Sequence, residues 1–188
     1  IGRILLMSKV IGIIGIPGTG KTTLMREWMS KREWIKDTPV KLLDGYVSGD
    51  VRLFGKYEDG EVFAGTDKLS MAVQPMAIEY LENDPSPVVV FEGDRLTSSK
   101  FFEAVKRAGH DLTIVVLKTD DAVRQQRYAD RGSDQSETFI NGRVTKVANI
   151  EDMFGEKILM GEAGCVHAFD HNVPEDTKKI IGFIENLL

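Results

Sequence analysis

Cysteine is almost absent from this sequence of 188 residues. Cys165 is the only one, so no disulfide can form within the chain and no cysteine cluster can hold a metal ion. Long apolar runs are also missing, because no stretch approaches the length that crosses a bilayer. These two absences predict a soluble protein of a reducing compartment, the cytoplasm, with no membrane partner.

An excess of positive charge is missing as well. The formal net charge is −5, which argues against a surface coated in basic side chains, the usual mark of strong non-specific DNA binding. Local basic patches remain compatible with that balance. Charged residues make up 28% and hydrophobic residues 42% of the chain, which is the composition of an ordinary globular domain.

The length suits one α/β domain with a full core and is too short for a motor with a separate mechanical domain. Met7 resembles a natural start, so we expect the domain to cover residues 7–188. Residues 1–6 are interpreted as a cloning remnant or as upstream translated residues. The oligomeric state is not predicted by any feature of the sequence.

The most informative segment is Gly15-Ile16-Pro17-Gly18-Thr19-Gly20-Lys21-Thr22, which follows the pattern G-x-x-x-x-G-K-[ST] between an apolar run and a helical stretch. This P-loop pattern predicts binding of a nucleoside triphosphate. Its glycines let backbone amides face the phosphates, Lys21 reaches the β- and γ-phosphates, and the Thr22 hydroxyl is a Mg²⁺ ligand. The predicted nucleotide contacts are Gly15, Ile16, Pro17, Gly18, Thr19, Gly20, Lys21, Thr22, Thr23 and Arg127.

Apolar runs alternate with helical patterns along the whole chain. We predict strands over 8–14, 40–44, 88–91, 112–117 and 165–169 and helices between them. This order predicts an α/β fold, the three-layer sandwich of P-loop NTPases, with a central, mostly parallel five-stranded sheet and helices on both faces. Residues 50–66 are predicted to form a hairpin-like insertion beside the site, outside the sheet core.

Two predicted strands end in carboxylates. Val88 to Phe91 leads into Glu92 at the edge where the phosphates should lie. Glu92 or Asp94 could hold Mg²⁺ or orient the attacking group, and Arg95 could neutralise the transferred phosphoryl group. Asp44 could act as a general base for an acceptor hydroxyl. The alternatives are a strand that ends in a solvated turn, and a turn pair at Asp44-Gly45.

Arginines recur on one predicted helical face. Arg124, Arg127 and Arg131 lead into a polar stretch over residues 132–141, which is predicted to be mobile. Arg143 and Lys146 follow and are assigned to substrate binding. We predict an arginine-rich lid over residues 124–146 that closes on the phosphates, with Arg127 and Arg131 in catalytic roles. A solvated face paired with neighbouring acidic residues is the alternative.

A second polar junction carries Asp67 and Gln74, which could face the acceptor. Asp67 could instead be only a helix cap. The three histidines show no metal-ligand spacing. His171, near the end of the fifth predicted strand, is expected to be a surface histidine with satisfied hydrogen bonds, and the alternative is that it approaches the nucleotide.

These motifs, in this order, resemble the small P-loop kinases that act on nucleosides, nucleotides and polynucleotides. Within that group, residues 65–75, 92–96, 131–133 and 145–149 resemble the bacteriophage 5-hydroxymethyluracil DNA kinases, which phosphorylate the base hydroxymethyl group during thymine hypermodification. The resemblance implies ATP as donor, DNA with modified pyrimidines as acceptor, host cytoplasm as location, and Asp44, Asp67 or Asp94 as base. A free nucleoside or nucleotide remains an alternative acceptor.

Three alternative functions for a P-loop protein are an ATPase, a GTPase switch and an inactive nucleotide-binding adaptor. The sequence has no Asn-Lys-x-Asp motif for guanine, and Phe91-Glu92 does not supply the acidic pair of a motor. The intact Lys21-Thr22 pair weighs against an inactive adaptor.

Overall fold

The structure is a computed structural model that describes residues 7–61, 63–132, 135–155 and 164–188. Within these ranges the chain forms one seven-stranded sheet in the order β2-β3-β4-β5-β1-β6-β7. The strands are β1 (Lys9–Ile14), β2 (Ile35–Asp37), β3 (Gly45–Ser48), β4 (Val51–Phe54), β5 (Val88–Glu92), β6 (Asp111–Lys118) and β7 (Val166–Asp170).

The middle of the sheet is parallel. Strands β4, β5, β1, β6 and β7 pair in parallel, whereas β2 and β3 continue the sheet in antiparallel fashion. Strand β1 lies between β5 and β6, and its residues from Val10 to Ile14 are all buried. An apolar strand covered on both faces is typical of a parallel sheet with helices on each side.

The helices are α1 (Lys21–Met29), α2 (Val73–Glu82), α3 (Ser99–Arg107), α4 (Asp121–Arg131), α5 (Glu137–Gly155) and α6 (Pro174–Leu187), and Thr66–Lys68 forms a short 3-10 turn. One apolar core packs α2, α3 and α5 against the sheet, and a second packs α1 and α6 on the other face. The predicted three-layer α/β fold is therefore confirmed. No described helix combines the length and apolar character needed to cross a membrane.

The predicted second strand, over residues 40–44, is wrong. The backbone turns there, with Leu42 at a φ of 70° and the Leu43 amide donating to Val40 O at 3.1 Å. Leu43 is nonetheless fully buried, so the apolar signal came from a turn residue that reaches the core. The strand itself starts one residue after Asp44.

The predicted insertion over residues 50–66 needs a correction in its first part. Val51–Phe54 is strand β4, buried at all four positions and parallel to β5. A buried arginine hid this strand, because Arg52 interrupts the apolar pattern while its Nε donates to Tyr80 Oη at 3.0 Å. Only the following residues leave the sheet, and Lys56 and Gly65 close them into a loop by a two-way backbone bridge.

The predicted lid consists mainly of helix. Helix α4 ends at Arg131 and α5 begins at Glu137, so residues 137–141 are helical where a mobile stretch was predicted. Ser136 explains the difference, since its Oγ accepts from the Phe139 amide at 3.2 Å as a helix cap does. Residues 133 and 134 of the predicted lid lie outside the described residues.

Candidate active site

The P-loop joins the end of β1 to the start of α1. Gly18 and Gly20 both have a φ of 84°, a left-handed conformation that glycine adopts without strain. Lys21 is the first residue of α1, and its Nζ lies over the loop, donating to Gly15 O at 2.7 Å and to Ile16 O at 3.3 Å. A loop of this shape at a helix N-terminus is suited to binding phosphate.

Side chains from α4 and the β7–α6 junction hold the loop from behind. Tyr128 Oη donates to Pro17 O at 2.5 Å, and Arg127 Nη1 donates to Gly18 O at 2.9 Å. His171 Nδ1 donates to Thr19 O at 2.6 Å. Three successive loop carbonyls are thus each held by a different side chain, which fixes the loop backbone.

The expectation that His171 is a surface residue is wrong. Its side chain is buried, with Nε2 accepting from Thr177 Oγ1 at 2.8 Å. Its backbone carbonyl accepts from Arg127 Nη2 at 3.0 Å. His171 and Arg127 therefore hold each other as well as the loop. Arg127 is not among the residues that line the cavity beside the loop.

Glu92 ends β5 beside the end of β1, where its register partner is Ile13. Its Oε1 accepts from Thr22 Oγ1 at 3.2 Å and from Tyr57 Oη at 3.1 Å. Burial raises the pKa of the Glu92 carboxyl to about 7, opposed by the charge of Lys21. Burial also lowers the pKa of Lys21, and the negative charge of Glu92 opposes this effect. Burial raises the pKa of Tyr57, and the charge of Glu92 raises it further.

Two further carboxylates lie next to Glu92. Asp67 Oδ1 accepts from the Asp94 amide at 2.6 Å, which ties the 3-10 turn to the residues after β5. The Asp94 carboxylate accepts from Arg143 Nη2 at 2.5 Å and Lys146 Nζ at 3.1 Å, both on α5. Asp94 thereby joins α5 to the sheet edge that carries Glu92.

These groups surround one cavity of about 570 Å³, a size typical of small-molecule sites. Its walls mix cations, carboxylates and two partly exposed phenylalanines. Apart from backbone and small side chains, its lining residues are Lys21, Arg26, Glu61, Phe63, Asp67, Glu92, Asp94, Arg95, Arg131, Gln135, Phe139 and Arg143.

The structure brings most predicted site residues together at this cavity. Gly15, Pro17, Gly18, Gly20, Lys21, Thr22 and Thr23 line it, as do Asp67, Glu92, Asp94, Arg95, Arg131 and Arg143. Ile16 packs instead against the core, and the buried Thr19 hydroxyl donates to Ile16 O. Lys146 reaches the site only through Asp94.

Two more predicted residues, Asp44 and Gln74, also lie outside the cavity. The Asp44 carboxylate accepts from Thr38 Oγ1 at 2.6 Å and pairs with Lys56 at 3.2 Å, two strands from β5. Gln74 Nε2 donates to Ser98 Oγ at 2.8 Å, at the cap of α3. Asp44 directly precedes β3 instead of ending a strand, and because β3 runs antiparallel to β4, Asp44 still lies at the sheet edge that carries Glu92. Its carboxylate, however, does not line the cavity.

Thr22 and Glu92 form a donor set that suits Mg²⁺. Both offer oxygen atoms, which this hard cation prefers, and a nucleotide-bound Mg²⁺ needs only one or two protein ligands. Among the described residues there is no cluster of three or more histidine, cysteine or acidic side chains that could hold a metal alone. The residues present therefore fit an ion that phosphates also bind.

Sequence reasoning missed the tyrosines of the site. Tyr57 lies in the segment interpreted as an insertion, and Tyr128 lies among the lid arginines, so neither belonged to a motif. Phe63 and Phe139 were missed because single exposed aromatic residues carry no spacing signal. Tyr128 has one feature that could have pointed to it, its position directly after Arg127 on the same turn of the helix.

A P-loop with a buried carboxylate on the adjacent strand and a cation-bearing helix across the cavity defines the class of P-loop kinase folds. The sequence profile of the family described as P-loop Nucleotide Kinase3 matches residues 6–185, and the chain belongs to that family. No curated protein matches the chain significantly.

One solved structure agrees with this fold. A gluconokinase from Sinorhizobium meliloti 1021 superposes with a TM-score of 0.50 at 15% identity, covering 98% of this chain and 97% of the gluconokinase. A sugar kinase from Janibacter sp. HTCC2649 gives a TM-score of 0.48 at 10% identity, covering 96% and 95% of the two chains. At such identities the likeness to the gluconokinase shows the fold alone.

Proposed function

We propose that this protein is an ATP-dependent kinase that transfers the γ-phosphate to a hydroxyl group of an acceptor bound in the cavity. The observation that carries the proposal is the presence of the P-loop, the buried Glu92 and the carboxylates of Asp67 and Asp94 around one cavity of about 570 Å³. A hydrolase needs no acceptor pocket, whereas a kinase must hold two substrates in line.

On the donor side, the loop amides and Lys21 bind the triphosphate. Lys21 Nζ, now on Gly15 O and Ile16 O, would exchange these carbonyls for phosphate oxygens. Thr22 and Glu92 would hold Mg²⁺, which supplies charge neutralisation at the phosphates. Arg131 lines the same cavity and would stabilise charge on the transferred group.

On the acceptor side, we assign the base role to Asp67. Both oxygens of the Asp94 carboxylate are held in ion pairs, Oδ2 by Arg143 and Oδ1 by Lys146, so both are occupied before an acceptor hydroxyl binds. Asp67 Oδ1 accepts a hydrogen bond from the backbone amide of Asp94, which is a neutral donor. Asp67 would orient the acceptor hydroxyl and take its proton, while Asp94 holds α5 in place.

We propose that the acceptor is the 5-hydroxymethyl group of 5-hydroxymethyluracil in phage DNA, which the sequence resemblance implies. Two features support a base in the cavity. Phe63 and Phe139 line it and are 58% and 41% exposed, so each can stack on a planar ring, and a base that undergoes chemistry has to leave the duplex stack. The net charge of −5 favours the alternative, a free nucleoside or nucleotide.

Transfer of labelled γ-phosphate from ATP to a panel of acceptors tests the proposal. The panel holds 5-hydroxymethyluracil DNA, unmodified DNA with free 5′-hydroxyls, nucleosides, nucleoside monophosphates and gluconate, the last because of the gluconokinase neighbour. Label on the modified DNA alone supports the full proposal. Label on any other acceptor supports the kinase activity and identifies that acceptor as the substrate in place of the modified DNA. ADP without any labelled acceptor would contradict the kinase and favour an ATPase.

Asp67→Asn provides the matched test of the base, with Asp94→Asn as its partner. We expect Asp67→Asn to lower the transfer rate without changing ATP binding. Equal losses in both variants would contradict the assignment of the base to Asp67 alone.

A further inference from the structure

We infer that Tyr57 is a positioning residue that orients the Glu92 carboxylate toward Thr22 and the P-loop. The inference rests on the proposed function, in which Thr22 and Glu92 hold the metal ion of the nucleotide. Tyr57 Oη donates to Glu92 Oε1 at 3.1 Å, and Thr22 Oγ1 donates to the same oxygen at 3.2 Å. Two donors from different elements on one oxygen fix the rotation of the carboxylate.

Tyr57 is held at three points besides its hydroxyl. Its backbone amide donates to Tyr46 Oη at 3.0 Å, and its ring packs against the Tyr46 ring with centroids 6.3 Å apart. The Arg26 guanidinium lies 5.8 Å from the centre of the ring and donates to Glu58 O at 2.8 Å. The hydroxyl therefore reaches Glu92 from a rigid platform, and it is buried there.

The segment that carries Tyr57 surrounds Glu92 on more than one side. Gly65 approaches the carboxylate so closely that a Cβ there would overlap Glu92 Oε1, and Thr66 Oγ1 donates to Glu92 O at 2.9 Å. The backbone bridge between Lys56 and Gly65 joins this end of the segment to Tyr57. Tyr57 at one end of this segment and Gly65 and Thr66 at the other thus hold both the main chain and the side chain of Glu92.

This arrangement gives the Tyr57 hydroxyl a specific task. The Thr22 hydroxyl would have to serve Mg²⁺ and Glu92 together, so it alone is a weak anchor for the carboxylate. The Tyr57 hydroxyl contacts Glu92 without being offered as a metal ligand, and it keeps the carboxylate in place during metal binding. Its loss should therefore affect metal-dependent nucleotide binding more than binding of the nucleotide alone.

Tyr57→Phe tests this, with Tyr80→Phe as matched control. Tyr80 is equally buried but donates to Ser86 Oγ at 3.1 Å, far from Glu92 in the β4 and α2 region. Binding of a fluorescent ATP analogue is followed against Mg²⁺ concentration and again in EDTA, and melting temperatures are recorded. We expect the half-saturating Mg²⁺ concentration to rise about tenfold in Tyr57→Phe only, as for one hydrogen bond to a charged group. Binding in EDTA should stay at the wild-type level.

An unchanged Mg²⁺ dependence in Tyr57→Phe overturns the inference if Glu92→Gln alters that dependence. If Glu92→Gln also behaves as wild type, the metal role of Glu92 in the proposed function fails, and the inference fails with it. Should Tyr57→Phe not fold, Tyr46→Phe replaces it, because this change frees the Tyr57 backbone. A shift of a few fold supports the inference in that variant, and no shift overturns it.

Discussion

The two sides of the cavity are built differently. On one side, the P-loop carbonyls of Pro17, Gly18 and Thr19 are held by Tyr128, Arg127 and His171. On the other, helix α5 presents Arg143 and Lys146, whose side chains are 32% and 29% exposed and end on Asp94. The loop hydrogen bonds join three side chains to consecutive backbone carbonyls and determine a single loop geometry, whereas ion pairs between partly exposed side chains contribute less stability and exchange more easily.

Under the proposed function, this difference would separate the binding of the two substrates. The loop side would be preorganised for a ligand that is the same in every turnover, the triphosphate. The α5 side is attached by ion pairs that a charged acceptor or phosphate could replace. Helix α4 serves both sides, because Arg127 and Tyr128 hold the loop while Arg131 lines the cavity, with its guanidinium 5.8 Å from the centre of the Tyr128 ring.

The largest expected effect is on the loop side. Lys21→Ala should lower the transfer rate by about 10² to 10³-fold, the usual cost of removing one donor to transition-state charge. The fold should persist, because the change removes a buried cation whose pKa burial already lowers. Initial rates and a thermal melt check both statements. Full activity in this variant would contradict the assignment of the P-loop.

The second prediction concerns the pH dependence of stability that follows from the raised pKa of Glu92 on the loop side. Its folded pKa of about 7 lies above the ordinary 4.5, so between these values the folded chain keeps a proton that the unfolded chain has lost. Stability from this group is therefore complete below about pH 4.5 and is lost as pH rises through 7. The free energy of unfolding of Glu92→Gln, relative to that of the wild type, should therefore increase by roughly 1 to 3 kcal/mol as the pH is raised from 5 to 8.

Urea unfolding of both proteins at the two pH values measures this difference. The measurement is made without nucleotide or Mg²⁺, which would shift the titration. A constant gap between the two proteins, or one that narrows with pH, would contradict a raised pKa at Glu92.

Arg127 and Arg131 separate the two functions of α4. Arg127→Ala removes the hydrogen bonds to Gly18 O and His171 O and a longer one to Thr119 Oγ1. It should cost roughly 1 to 3 kcal/mol of stability and weaken ATP binding. Arg131→Ala should mainly lower the transfer rate. Melting temperatures, ATP titrations and rates of both variants make the comparison. The same effects in both would contradict the separate roles.

The smallest effect is expected on the α5 side. Lys146→Ala removes one of the two cations on Asp94 and should change stability by less than about 1 kcal/mol, because the pair is partly exposed and Arg143 remains on the same carboxylate. Acceptor dependence should change instead of ATP binding. A large loss of stability, measured by urea unfolding, would mean that α5 is fixed as firmly as the loop.

The same difference explains what could be predicted from the sequence. The P-loop and β5 follow local patterns, because glycine conformations and an apolar strand are written in neighbouring residues, and both were confirmed. The hydrogen bonds that hold the loop were not predicted, since His171 and Tyr128 reach it from 152 and 111 residues away in sequence. Strand β4 was missed because its buried arginine is satisfied by Tyr80 and Asp37, which no local pattern reveals.

Asp44 shows the limit of arguing from strand ends. The prediction was sound for a parallel strand, whose last residue would face the phosphates. The segment before Asp44 forms a turn, however, and its carboxylate pairs with Lys56. Sequence spacing identified Asp67, Glu92 and Asp94, where the strand or loop around the residue was assigned correctly. It wrongly placed Asp44 at the site, because the segment before Asp44 was assigned as a strand.

The most direct test is a crystal structure of the protein with Mg²⁺ and a non-hydrolysable ATP analogue. We predict the triphosphate in the loop over residues 15–22, with Lys21 Nζ moved from Gly15 O to phosphate, Mg²⁺ at Thr22 and Glu92, and loop Cα shifts below about 1 Å. A nucleotide bound elsewhere, or a loop that has to rearrange and release Tyr128, Arg127 and His171, would contradict a preorganised donor site.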